Sequence, residues 1–181
     1  PDEAAAALAR AQAAAPESPR PGVLAGPRRQ RQGDAAGALR AWDGLRERHP
    51  AAFVLVAGDY ASCARAAGST DAARAVLLQA LAAQPAVELL QALEALDAER
   101  PVAERLPRLL AHLRAHPSLS AAQLLLPIAT TQAGALDDEA RQALQAAVAR
   151  AARPLQRYRC ASCGFEAQRH FWQCPGCLAW D

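Results

Sequence analysis

Four prolines divide this chain into nearly equal lengths. Pro16, Pro50, Pro85 and Pro117 are 34, 35 and 32 residues apart. Proline lacks a backbone N–H and clashes with the preceding helical turn, so each one stops a helix. Eight residues before them lie Leu8, Trp42, Leu77 and Leu109, and five before lie Ala11, Leu45, Ala80 and His112. Twelve residues before the first three lie Ala4, Ala38 and Ala73. Steps of four and then three residues return to one face of a helix, so each set forms a single stripe. The small Ala lets a second helix approach, and the larger residue a turn later fills the groove beside it. Gly33 with Asp34, and Gly68, stand 17 residues before their prolines. A turn between two helices is needed there. Glycine accepts the left-handed backbone of that turn, and Asp34 can cap the helix that follows.

Composition points the same way. The chain has 181 residues, dominated by Ala and Leu, with 4% aromatics; its 20 basic residues are all Arg. Ala, Leu, Arg, Gln and Glu favour helices, which predicts an all-α fold outside the C-terminal segment. The period resembles the tetratricopeptide repeat, a helix–turn–helix unit of about 34 residues. On that resemblance, residues 1–16 are the second helix of a unit whose first helix lies upstream. Residues 19–50 and 53–85 are two further units. Residues 86–117 are a worn unit, with Arg100 and Arg105 where Gly and Ala would stand. Residues 120–133 and 137–153 form a last helix pair. Such units bury their apolar faces against their neighbours, which predicts a solenoid with a concave surface. Pro19, Pro21 and Pro27 crowd the first helix of the 19–50 unit and predict a short, bent or poorly ordered element.

The chain contains no Met, and its first residues read like the middle of a helix. We expect a piece of a longer protein. No apolar run approaches the ~18 residues of a membrane span. The net charge of +2 does not by itself call for a polyanionic partner. Arg28, Arg29 and Arg31 form the one basic run. It lacks interleaved aromatics and lies near Asp34, Asp43 and Glu47, so it reads as a solvated helix face. No catalytic constellation emerges. His49, His112, His116 and His170 are scattered, with His49 and His116 each preceding a repeat proline. Asp137, Asp138 and Glu139 suit the start of a helix. Neither a Gly-rich phosphate loop nor a G-x-S-x-G elbow occurs.

The C-terminal segment is different in kind. It reads Cys160-Ala-Ser-Cys163, then ten residues, then Cys174-Pro-Gly-Cys177. Two C-x-x-C pairs at that separation are the ligand pattern of a tetrahedral four-thiolate site. Zinc and iron both suit it, and zinc is favoured. The fifth cysteine, Cys63, lies in an apolar helix and reads as a small buried hydrophobe. One odd cysteine beside two close-set pairs argues for reduced thiols, and so for the cytoplasm. Gly164 directly after Cys163 can take the positive φ of a knuckle turn and aim N–H groups at sulfur. The ten residues between the pairs suffice for a short β-hairpin. A module this small cannot fold by burial alone, so metal binding must supply much of its folding free energy, roughly 10–16 kcal/mol for thiolate zinc peptides. Residues 154–157 are the whole linker from the last helix. About four residues span at most ~14 Å, so the module should lie against or near the final helix pair, sharing its aromatics with that contact.

The knuckles resemble those of rubredoxin, whose pairs stand much farther apart in sequence; Leu178 also replaces a usual Gly. A repeat array leading into C-x-x-C-G-F, then Phe171-Trp172 before Cys174, then Cys-Pro-x-Cys-x-Ala-Trp, resembles the LapB (YciM) lipopolysaccharide assembly protein B family. The resemblance implies a tetratricopeptide region at 1–153 and a rubredoxin-type metal-binding module at 154–181. It implies Cys160, Cys163, Cys174 and Cys177 as metal ligands. It also implies a non-enzymatic adaptor on the cytoplasmic side of the bacterial inner membrane, anchored by an N-terminal helix outside this sequence. The family's partners are an FtsH-type protease, the deacetylase LpxC and other lipopolysaccharide assembly proteins, and its role is to promote LpxC degradation. Two other readings stay open. One is rubredoxin-like electron transfer by an iron site. The other is a nucleic-acid-binding zinc ribbon, which the charge disfavours. In residues 154–181, Arg157, Arg159 and Arg169 face Glu166 and Asp181, and a zinc ion with four thiolates adds about −2.

Overall fold

A computed structural model describes residues 2–131, 134, 136–153, 158–167 and 169–180. Helices fall where the prolines and glycines place them. They are α1 (Asp2–Ala14), α2 (Arg20–Arg31), α3 (Ala35–Arg48), the short α4 (Pro50–Phe53), α5 (Ala57–Ala66), α6 (Thr70–Ala83), α7 (Val87–Leu96), α8 (Val102–Ala115), α9 (Leu119–Thr131) and α10 (Asp138–Ala152). A 3₁₀ turn at Val54–Val56 joins α4 to α5. In chain order α2–α3, α5–α6, α7–α8 and α9–α10 fall within the spans of the expected units; α2 packs on α3, α5 on α6 and α9 on α10, while α7 packs on α5 and α6. The last residues of the expected 120–133 helix lie outside the described residues. Gly33 (φ +76°) and Gly68 (φ +69°) make the predicted left-handed turns. Asp34 caps α3 by accepting the Gly37 N–H at 2.7 Å, and Asp137 caps α10 by accepting the Ala140 N–H at 2.7 Å.

The chain divides into two compact units, Pro1–Leu109 and Leu110–Asp181, with the boundary inside α8. The core of the first is built on the predicted stripes of α3 and α6, whereas Ala4 and Ala11 of the α1 stripe are exposed. Ala38, Trp42 and Leu45 of α3 are fully buried, as is Leu77 of α6. They join Phe53, Tyr60, Cys63, Leu89 and Leu93 in one apolar cluster. In the second unit, Leu113, Ala121, Ala122, Leu125, Ile128, Ala140 and Ala147 are buried.

The proline-rich helix departs from expectation. α2 is a regular helix of 12 residues. Pro19 is its N-cap and Pro21 lies in its first turn, where the N–H has no helical partner to lose. Pro27 lies inside, and it cannot bond the Val23 carbonyl one turn back. The Trp42 indole N–H reaches that carbonyl at 3.5 Å. Gly22 and Gly26 make this approach possible. A Cβ on Gly26 would sit 1.8 Å from the Trp42 ring, and one on Gly22 would sit 2.9 Å from Leu45.

The worn unit is held by charge. Asp97, 1% exposed, accepts Arg74 at 2.9 Å, Arg108 at 2.9 Å and Arg100 at 3.3 Å. Glu94 accepts Arg105 at 2.9 Å and Arg108 at 2.7 Å. The two arginines that break the repeat pattern are therefore ion-pair donors to α7 and the turn after it. His112 fills the last stripe position and is buried; burial, and then neighbouring His116, lower its pKa below the usual imidazole value.

Removing Asp97 should leave several guanidinium groups without their common acceptor. Asp97→Ala is expected to lower stability by about 2–3 kcal/mol, less than a sealed pair would lose because Arg74 and Arg100 reach water. Urea unfolding followed by circular dichroism checks this. A loss below about 0.5 kcal/mol would mean that the arginines re-solvate freely.

Candidate metal centre

Both cysteine pairs are built by the same backbone hydrogen bonds. In the first knuckle the Cys160 N–H donates to the Phe165 carbonyl at 2.9 Å, and the Gly164 N–H donates to the Cys160 carbonyl at 2.9 Å. In the second, the Cys174 N–H donates to the Ala179 carbonyl at 2.8 Å, and the Leu178 N–H donates to the Cys174 carbonyl at 2.8 Å. The residue after each pair must turn left-handed. Gly164 does so at φ +76°, and Leu178 does so at φ +60° despite its side chain. Strands β1 (Tyr158–Arg159) and β2 (Glu166–Ala167) pair antiparallel across the first knuckle, with Tyr158 opposite Ala167 and Arg159 opposite Glu166. A single bridge, Gln173 to Trp180, flanks the second. The hairpin expected within the ten intervening residues thus forms around the first knuckle instead, because the turn that pairs the strands is the ligand loop itself.

The four sulfurs converge. Their Sγ atoms all lie within 4.8 Å of one another. Cys160 to Cys177 is 3.8 Å and Cys163 to Cys174 is 3.6 Å. A tetrahedral ion with metal–sulfur bonds of about 2.3 Å separates its sulfurs by about 3.8 Å, so the cluster has the dimensions of a four-thiolate site. Backbone N–H groups point inward as well. The Gly176 N–H donates to the Cys174 sulfur at 3.4 Å. The N–H groups of Cys163 and then Ser162 pull the Cys160 thiol down to about 6. At Cys163 the Phe165 N–H also pulls down, but Cys177, burial, Cys174 and Cys160 push the thiol up to about 12. Four thiols this close cannot all ionise without a cation among them, which a metal dication supplies.

Aromatic rings frame the site. Phe165 packs edge-on to Phe171 at 5.9 Å and covers Gly176. His170 stands between Tyr158 at 5.2 Å and Trp172 at 4.7 Å. Trp172 and Trp180 are 71% and 72% exposed, so these two indoles are not buried on any helix. The linker expectation itself falls on residues 154–157, outside the described residues.

Residues 158–181 match a family model, Zn_ribbon_LapB, described as a rubredoxin metal binding domain. The match names the LapB family. No curated protein matches the chain. The matched residues contain all four cysteines singled out from spacing. Cys63 lies apart from it, buried in α5, where burial pushes its thiol up. The basic run is absorbed locally: Arg29 pairs with Asp34 at 3.0 Å, and Arg31 donates to the Pro27 carbonyl at 3.3 Å. The Asp97 cluster and the closeness of His112 to His116 escaped the sequence reading. Only the four-residue spacing of the two histidines could have flagged the latter.

Two outcomes follow from the thiolate cluster. A strong chelator should abolish ordered structure in residues 158–180 and leave the helical circular dichroism signal largely intact. Amide exchange resolved by segment checks this; a ribbon that stays protected would mean that metal is not what folds it. Acid should act in the same sense. Protons compete with the ion for all four sulfurs, so metal is held near neutral pH and released as the pH is lowered. A colorimetric assay of free zinc across pH 4–8 reads the release.

Proposed function

We propose that this protein is a non-enzymatic adaptor that regulates lipopolysaccharide biosynthesis. It brings the deacetylase LpxC to an FtsH-type protease and so promotes LpxC degradation. The observation that carries this reading is the conjunction of a LapB-family ribbon at 158–181 with a tandem helix–turn–helix array before it. Repeat arrays present extended surfaces to protein partners, and residues 1–153 would supply that surface. Residues 154–181 would form the metal module. Cys160, Cys163, Cys174 and Cys177 would hold one ion, zinc in preference to iron. When bound, the ion supplies charge neutralisation and cross-linking. The chain's own N–H groups at Ser162, Cys163, Phe165 and Gly176 orient the sulfurs.

The site of action would be the cytoplasmic face of the bacterial inner membrane. Among the described residues no helix is long and apolar enough to cross a membrane. On the family resemblance, anchoring would use an N-terminal helix outside this sequence.

Co-purification from cells, read by mass spectrometry, tests the proposal. The wild-type chain should retain the protease or its client, and a Cys160→Ser, Cys163→Ser variant should lose at least one of them. LpxC half-life should lengthen in cells carrying the variant. A wild-type chain that retains neither protein and leaves LpxC turnover unchanged would sink the adaptor reading. A purified protein with stoichiometric iron and a reversible visible absorbance change would favour electron transfer instead.

A further inference from the structure

The last turn of α8 carries His112, and His116, four residues on, follows one residue past the helix end, its N–H donating to the His112 carbonyl at 2.8 Å. Side chains at that spacing meet on one face of a helix. The two rings stand 5.3 Å apart between centroids, tilted by 49°. His112 occupies the stripe position that other units give to Ala11, Leu45 and Ala80, where an apolar side chain belongs. It is 7% exposed, and among the described residues its ring has no hydrogen-bond or ion-pair partner. His116 is exposed. The cation between them in sequence does not compete, because Arg114 pairs with Glu139 at 3.3 Å.

The separation of the two rings suits a two-imidazole chelate. Metal–nitrogen bonds of about 2.0–2.1 Å put an ion about 3.2 Å from each ring centre, so a tetrahedral angle at the ion separates the rings by about 5.2 Å, close to the 5.3 Å found here. Helical metal motifs use the same i, i+4 pair of histidines. We infer that His112 and His116 form a binding site for a borderline divalent transition-metal ion, distinct from the four-thiolate ribbon. Imidazole donors suit nickel, copper and zinc. The two nitrogens supply half of a tetrahedral set, and water completes it. The site exchanges its ion readily and is filled only when the ion is abundant. It also ties His116 back onto the last turn of α8, so occupancy stiffens the end of that helix.

Nickel titration of the tag-free, zinc-loaded chain by calorimetry is the test, with zinc measured alongside. One nickel ion should bind while the ribbon keeps its zinc. His116→Ala, at an exposed position, should weaken nickel binding at least about tenfold, since the second donor acts at high effective concentration. His112→Gln should do the same, and His49→Ala should change nothing. Unchanged helical circular dichroism shows that the variants remain folded. Nickel binding that survives His116→Ala, nickel uptake that occurs only as zinc is lost, or no uptake at all would each overturn the inference.

Discussion

The first unit depends on how closely α2 can lie against α3. Gly26 leaves room for the Trp42 ring and Gly22 for Leu45, each by having no side chain there. The same contact resolves an apparent defect. Pro27 removes the helical N–H that the Val23 carbonyl would accept, a loss that normally costs about 3 kcal/mol with its steric clash. The indole N–H of Trp42 faces that carbonyl across the interface. A proline that reads as a helix breaker is tolerated because the residue packed against it carries the missing donor. Glycine, proline and tryptophan here form one interlocking set, and none of the three has a clear meaning without the other two.

Where the small residues are lost, the chain changes its means of joining helices. Arg100 and Arg105 stand where Gly and Ala would allow close approach, and both donate to acids on or just after α7. Asp97 gathers Arg74 from the unit before and Arg108 from the helix after, so a single carboxylate ties three segments. Such a buried cluster adds little net stability over apolar packing, because its charges must be stripped of water. Its contribution is geometric, since each guanidinium bonds the acid in few orientations.

The helices were legible in the sequence because their signals are local. A proline stop, a left-handed glycine and an Asp cap each act within one turn, and Gly33, Asp34 and Gly68 do what their residue types dictate. The cysteine spacing was legible for the same reason: two residues between ligands leave one knuckle geometry. The regularity of α2 was not legible, since it rests on Trp42, 19 residues from the carbonyl it bonds. The strand pairing was not legible either. Two residues per strand are too few to show a period of two. Nor could spacing alone foretell that Asp97 would be buried, because its partner Arg74 lies 23 residues away.

Leu178 links the ribbon's backbone to its metal. Its place in the second knuckle is that of Gly164 in the first, down to the carbonyl its N–H bonds. A left-handed turn costs a side-chain-bearing residue about 1–2 kcal/mol, and glycine nothing comparable. Packing does not recover that cost, since Leu178 is itself exposed, as are Trp172 and Trp180. Roughly 10–16 kcal/mol of metal binding exceeds such a strain many times over. The second knuckle can therefore hold a shape that its own sequence resists, provided the four sulfurs share an ion. Without the ion, the strain at Leu178 and the mutual repulsion of ionised thiols act in the same direction. The second knuckle, where glycine is missing, should then be the first part of the ribbon to lose its turn.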